Sequence, residues 1–186
     1  MSSTTAPRSA GVAATLRALY AVRFAFQLVW AVVVIITASG GLDVVTITLL
    51  LLYPLFDVAA AIVDHRASRS TGPAPLLYVN MALSLLAAVG LAFAVTSGIA
   101  AVMIVWGLWA VTAGAVQLIV AILRRRLGGQ WPMILSGGIS VLAGASFVIG
   151  AANATSVAGV GGYAILGAVF FLVSAIRLRR AKADRA

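Results

Sequence analysis

Cysteine is absent from the sequence, and only four of its 186 residues are acidic. Without cysteine the chain has no disulfide bonds, thiolate metal sites or cysteine nucleophiles. Charged residues make up 9% of the chain, well below the roughly 25% of a soluble domain. Hydrophobic residues make up 63%, and the mean hydropathy is +1.13. This composition indicates an integral membrane protein rather than a soluble domain.

Six apolar segments are long enough to cross a bilayer, which takes about 20 residues for about 30 Å of hydrocarbon. They are continuous runs without alternation, so they predict an all-α, polytopic membrane protein and exclude a transmembrane β-barrel. Residues 1–15 are small and polar and predict a disordered tail. Residues 16–180 form the predicted membrane domain, and residues 181–186 a basic tail. The predicted spans are residues 18–37, 44–63, 76–96, 99–123, 131–150 and 157–176.

The basic residues fall on one side of the predicted spans. The three turns on the opposite side contain no lysine or arginine, and their only charged residue is Asp43. The positive-inside rule therefore predicts that both termini and the two longer loops are cytoplasmic. Apart from Arg23, which lies inside the first span, the basic residues are Arg8, Arg17, Arg66, Arg69, Arg124, Arg125, Arg126, Arg177, Arg179, Arg180, Lys182 and Arg185.

A net charge of +9 would suggest a nucleic-acid partner in a soluble protein. Here the charges stand at span ends, so membrane topology explains them and no nucleic-acid partner is predicted. The arginine clusters would also attract anionic lipid head groups.

The six spans form three hairpins that resemble one another, at about residues 18–66, 76–126 and 131–180. Such similarity at a fixed spacing indicates an internal repeat. In the first hairpin Asp57 replaces the small residue of the other two. The even spans align at Tyr53–Asp57, Ala110–Gly114 and Tyr163–Gly167, and the odd spans at the i,i+4 polar pairs Arg23–Gln27, Asn80–Ser84 and Ser136–Ser140.

Three tandem two-helix hairpins with glycine in the second helix, and a YPLFD-type second span, resemble the HdeD-like membrane proteins. The resemblance covers about residues 18–180. It implies a bacterial inner-membrane protein with a stress-linked role, since the named member of that family is associated with acid resistance. It implies no catalytic residues. The first repeat departs from the plain glycine pattern of the family at Arg23 and Asp57.

Arg23 and Asp57 are ionisable residues inside predicted spans. Arg23 lies six residues beyond Arg17, or about 9 Å along a helix at about 1.5 Å per residue. Asp57 precedes Asp64 by seven residues on an antiparallel helix, which is a similar depth. Because one unpaired charge costs at least about 2.5–3.5 kcal/mol near the bilayer centre, we predict an ion pair. The alternatives are a snorkelling arginine with a protonated aspartate, or a titrating aspartate in a transport or proton-relay site.

Further polar residues lie in the cytoplasmic halves of the spans, and they either line a polar cavity around this pair or form interhelical hydrogen bonds. Pro54 is predicted to kink the second span beside Asp57. Small residues predict close helix packing, inside the bundle or in a homo-oligomer. The polar residues are Gln27, Asn80, Ser84 and Gln117, and the small residues are Gly114, Ser136, Ser140, Gly144 and Gly167.

The sequence contains no cluster of metal ligands and no nucleophile with a base and an orienting group. We therefore expect no enzymatic activity, no catalytic residues, no metal and no cofactor. Two hypotheses follow. The protein is a non-enzymatic, structural or stress-associated membrane protein braced by Arg23 and Asp57, or a small transporter or proton-conducting protein that uses Asp57 as the titrating group.

Overall fold

The computed structural model describes residues 5–68 and 74–183, which form six long helices and short turns. Three short 3-10 turns follow the first, fourth and fifth helices. All six helices are long and apolar enough to cross a membrane. The predicted all-α, polytopic membrane fold is therefore confirmed. The helices are α1 (Thr5–Thr37), α2 (Val44–Ser68), α3 (Ala74–Ser97), α4 (Ile99–Leu123), α5 (Trp131–Gly150) and α6 (Ala158–Ala183).

The prediction of a disordered tail over residues 1–15 is wrong from Thr5 onward, because α1 begins there. Val12, Leu16 and Leu19 are buried in one apolar cluster with Phe171 and other residues of α6. This packing, together with the helix propensity of the neighbouring alanines, outweighs the polar composition. The basic tail predicted at 181–186 is likewise helical as far as Ala183, because α6 continues to that residue. Residues 1–4 and 184–186 lie outside the described residues.

The helices form a closed ring in chain order. Each helix packs extensively against the next one, and α6 returns to pack against α1. The outer surface carries exposed apolar side chains, for which a lipid bilayer is the matching environment. Examples on α1, α3 and α5 are Val29, Ile36, Leu86, Phe93, Leu142 and Ile149.

Aromatic residues fill the half of the ring that lies away from Arg124. Trp30 stacks on Trp106 with ring centroids 5.5 Å apart, and Tyr53 meets the edge of Trp109 at 5.7 Å. Trp106 is fully buried. These four residues, Trp30, Tyr53, Trp106 and Trp109, are called the aromatic cluster below. They anchor α1, α2 and α4 to one another across the ring, because aromatic pairs add geometric preference to their packing.

Helix α2 continues through Pro54, which is buried in the bundle. Proline has no N–H to donate to the carbonyl four residues earlier, so the backbone bonding of this turn is weakened. The neighbouring carbonyl of Leu49 accepts a hydrogen bond from the Trp30 indole at 2.7 Å. The aromatic cluster thus supports the turn of α2 that precedes Pro54.

Glycines bring α4 and α5 into backbone contact. A Cβ on Gly114 would lie 2.5 Å from the Ser140 Cβ, and a Cβ on Gly144 would lie 2.5 Å from the Gly107 carbonyl oxygen. A Cβ on Gly137 would meet the Gly114 carbonyl oxygen at 2.8 Å. The predicted small residues of α4 and α5 therefore meet inside the bundle, where close approach strengthens van der Waals packing between membrane helices. Gly107 and Gly137 were not among the predicted packing residues.

Candidate functional site

The Asp57 carboxylate lies inside the ring and is bonded to side chains from two neighbouring helices. Its Oδ1 forms an ion pair with Nη2 of Arg23 on α1. Its Oδ2 accepts hydrogen bonds from Asn80 Nδ2 at 2.6 Å and from Ser84 Oγ at 2.9 Å, both on α3. The Ser84 hydroxyl in turn accepts a hydrogen bond from the Trp109 indole on α4 at 3.1 Å. One carboxylate therefore links α1, α2 and α3 directly, and α4 through one hydroxyl.

The guanidinium of Arg23 faces the interior of the ring. It lies over the Phe171 ring of α6, with its central carbon 4.5 Å from the ring centroid. Its side chain is only 16% exposed. A cation held over an aromatic face is attracted by the ring quadrupole. Arg23 thus has an anion on one side and an aromatic ring on the other, and it does not reach out to the membrane surface.

Gln27 and Gln117, which the sequence grouped with this pair, form no hydrogen bond to Asp57. Gln27 is buried, and its Oε1 has no hydrogen-bond partner among the described residues. That oxygen packs against Gly167, where an added Cβ would lie only 2.8 Å away. Gln117 donates from Nε2 to the Met133 carbonyl oxygen at 3.3 Å, which links α4 to α5.

Ser136 and Ser140 are buried on α5 and face the interior. The Ser140 hydroxyl is within 2.9 Å of the Tyr163 hydroxyl, so a hydrogen bond joins α5 to α6. The sequence placed these serines among the packing residues, and Ser140 does contact Gly114. The hydrogen bond to Tyr163 is an additional role, since a buried tyrosine hydroxyl usually has a partner.

A second ion pair lies at the end of the ring that carries the arginines. Arg124 donates from Nη1 and Nη2 to the two carboxylate oxygens of Asp64, each at 2.7 Å, and from Nη2 to Ser68 Oγ at 2.9 Å. Burial opposes the charge of Arg124, but the hydrogen bonds and the negative charge of Asp64 outweigh burial and raise the pKa of the guanidinium. This bidentate geometry is the strongest form of an arginine–carboxylate contact.

The sequence placed Arg124 in a cluster that determines topology and would attract anionic lipids, so this second pair was missed. One signal was available. Asp57 and Asp64 are seven residues apart and therefore share one face of α2. Because Asp57 is predicted to meet an arginine inside the bundle, Asp64 on the same face of α2 is expected in the interior as well.

A cavity of about 100 Å³ lies within the ring and is lined by residues from all six helices. The α4 residues that line it run from Trp109 to Ala121, and Arg124 follows just after the helix, which puts the cavity in the half of the ring that carries the arginines. Both ion pairs, Gln27, Gln117 and Ser136 are in its wall. The apolar cluster that contains Trp30 and Trp106 fills the opposite half. The interior of the ring is therefore a polar cavity in the half that carries the arginines and is filled with aromatic and apolar side chains in the other half.

Comparisons with protein-family models, with curated proteins and with solved structures give no match to the chain. In the part of the chain that the structure describes, no three histidine, aspartate or other metal-binding side chains come together. The chemistry on which a function can be argued is therefore that of the two ion pairs and the cavity between them.

Proposed function

We propose that this chain is a non-enzymatic, multi-pass protein of the bacterial inner membrane, with both termini in the cytoplasm. The placement of the arginines on one side of the bundle supports this orientation. A reporter that is active only in the cytoplasm should work when fused to the C-terminus, and activity only of a periplasmic reporter there would contradict it. The resemblance to HdeD-like proteins supports a stress-linked role, so a strain that lacks the protein should survive acid shock less well.

The observation that carries the structural part of this proposal is the bonding of Asp57. Its carboxylate has partners on α1 and α3, and its arginine partner contacts α6. We assign the Arg23–Asp57 pair the role of an internal brace that holds the first hairpin in the ring. Removing one partner of a buried pair typically costs about 3–5 kcal/mol, because the remaining charge is left uncompensated.

Charge exchange tests the brace. Arg23→Gln and Asp57→Asn should each lower the thermal unfolding temperature in detergent, and the exchanged protein, Arg23→Asp with Asp57→Arg, should recover most of the loss. Recovery is expected because the Asn80 amide and the Ser84 hydroxyl can accept hydrogen bonds as well as donate them. Arg17→Gln is the matched control, since Arg17 is exposed on the same helix. Single variants as stable as the wild type, or an exchange as unstable as the singles, would refute the brace.

One observation favours the second candidate function, a small transporter or proton-conducting protein. The Asp57 carboxylate is in the wall of the polar cavity, so a solute or a proton in that cavity could reach it. The aromatic cluster would have to separate for passage to the other side. Asp57→Asn would then fold normally yet abolish a pH-dependent flux in proteoliposomes. If wild-type proteoliposomes carry no such flux, this candidate fails and the brace stands alone.

We also propose that the three hairpins are a true internal repeat. Three equivalent contacts support it, since the repeat position on each even helix faces the second residue of a polar pair on the next helix around the ring. An added Cβ at Gly167 would lie 2.8 Å from Gln27 Oε1, the far end of a side chain, so the repeat predicts that Gly167→Ala causes a small loss of stability and that Gln27→Ser relieves it. Without such relief in thermal unfolding, the equivalence fails. The contacting residues are Asp57 with Ser84, Gly114 with Ser140, and Gly167 with Gln27.

Anionic lipids are the partners that we propose for the remaining arginines after α4. Arg125 and Arg126 are exposed, whereas Arg124 is occupied by Asp64. Replacing Arg125 and Arg126 by glutamine should weaken retention of anionic lipid through purification without lowering stability, and unchanged retention would argue against this role. Homo-oligomerisation stays a prediction. The small residues that suggested it contact one another between α4 and α5, so they do not form an interface between copies of the chain.

A further inference from the structure

The cavity between the two ion pairs has features of a binding site that neither the brace nor the topology requires. We propose that it binds a small, uncharged solute that carries both hydrogen-bond donors and acceptors, such as a short amide or polyol. This inference goes beyond the proposed function and does not depend on it.

The charges in the cavity wall exclude an ion as the ligand. Four charged side chains line the cavity, and they form two complete pairs, Arg23 with Asp57 and Arg124 with Asp64. The wall is therefore neutral as a whole. An anion or a cation would lose part of its hydration in the cavity and would find no counter-charge in a neutral wall, which is unfavourable. A neutral solute leaves both pairs intact.

The wall also holds polar atoms without partners. Gln27, Arg124 and Gln130 are each 5% exposed or less and line the cavity. Oε1 of each glutamine and Nε of Arg124 have no hydrogen-bond partner among the described residues. Buried polar groups in native proteins nearly always have partners, from the protein, from water or from a ligand. The unpaired set contains acceptors and a donor, and this mixture suits a solute that carries both.

The size of the cavity sets the size of the solute. At about 100 Å³ the cavity is well below the roughly 300–1,000 Å³ of pockets that hold drug-sized ligands, so its solute has few atoms. Acetamide is a solute of this bulk, and it has an amide that can donate and accept. The apolar part of such a solute would contact Trp109 and Phe171, which are also in the wall.

Acetamide and acetate provide a matched pair of probes, because they have the same shape and differ in charge. We would record saturation-transfer-difference NMR on their methyl protons with the full chain in nanodiscs of deuterated lipid. Acetamide should give a saturable signal with a Kd of about millimolar order, as expected for so few atoms. Acetate should give none. An equal response to acetate, or no saturation by acetamide up to about 100 mM, would overturn the proposal.

Two variants locate the binding. Ala113 lies in the cavity wall, so Ala113→Leu should fill the cavity and weaken acetamide binding at least ~10-fold. Ala100→Leu is the control, because Ala100 is exposed on the same helix and is not in the wall. If Ala113→Leu does not fold, Gln27→Leu removes one unpaired acceptor and should weaken binding without filling the cavity. Binding unchanged in a folded Ala113→Leu or Gln27→Leu would place the solute elsewhere and refute the site.

Discussion

The contact between α4 and α5 depends on glycine, and Gly144→Ala tests how strongly. A Cβ at this position would lie 2.5 Å from the Gly107 carbonyl oxygen and 2.7 Å from the Val111 backbone nitrogen. Both atoms belong to the backbone, so no side-chain rotation relieves the clash. Ordinary contact begins at 3.4 Å, and the two helices would have to separate by about 0.9 Å at this point.

Such a separation loses packing along the whole interface. Gly137 makes an equivalent contact two turns earlier on α5, so the helix cannot tilt away from one glycine without disturbing the other. Overpacking typically costs about 1–3 kcal/mol, and two backbone clashes place Gly144→Ala at about 2–3 kcal/mol. The measurement is equilibrium unfolding in mixed micelles of mild detergent and SDS.

Gly138→Ala is the matched control on the same helix. An added Cβ there meets nothing within 4 Å. It should be neutral or stabilising by up to about 1 kcal/mol through helix propensity. Gly107→Ala combined with Gly144→Ala should cost less than the sum of the two single changes, because the first substitution already separates the helices. A Gly144→Ala protein within about 0.5 kcal/mol of Gly138→Ala would refute this account of the interface.

Two further predictions concern charged residues at the helix ends. Arg124→Gln should lower stability by about 3 kcal/mol, because it leaves the Asp64 carboxylate unpaired at the end of the cavity. Arg125→Gln at an exposed position should change stability little. Equal effects of the two variants in thermal unfolding would contradict the second ion pair. The backbone N–H of Thr46 donates to the Asp43 carboxylate at 2.7 Å, which caps the N-terminus of α2. This hydrogen bond lowers the pKa of the Asp43 carboxyl group. The stability that Asp43 contributes is therefore complete above the ordinary carboxyl pKa and is lost as pH falls below about 4. Asp43→Asn should flatten that part of the pH–stability profile, and a profile identical to the wild type would contradict the cap.

The six spans could be predicted because the apolar run of a membrane-spanning helix must be long enough to cross the bilayer. The predicted bounds of the fourth and fifth spans are those of α4 and α5. The similar depth of Arg23 and Asp57 followed from counting residues to the charged ends of two antiparallel helices. Both inferences need only distances along one helix, and these are fixed by the rise per residue.

The contacts between helices could not be predicted, because they depend on the order of the helices around the ring, which is not evident from the sequence. Gln27 packs against Gly167 because α6 closes on α1, although the two residues are far apart in the chain. The pairing of Arg124 with Asp64 likewise depends on α2 and α4 meeting at one end of the cavity. The helical residues before Ala18 were missed for the same reason, since their apolar face is explained only by its packing on α6.

The position occupied by Asp57 decides what kind of interior the ring has. A glycine opposite a serine, as at Gly114 and Ser140, brings the two helices into close contact. A glycine opposite a glutamine, as at Gly167, admits a polar side chain that is not bonded to its neighbour. An aspartate at this position requires hydrogen-bond donors on both sides, which Arg23 and Ser84 supply. One of the two ion pairs in the cavity wall thus lies where the first hairpin departs from the other two, and a glycine at position 57 would remove the reason for an arginine at position 23.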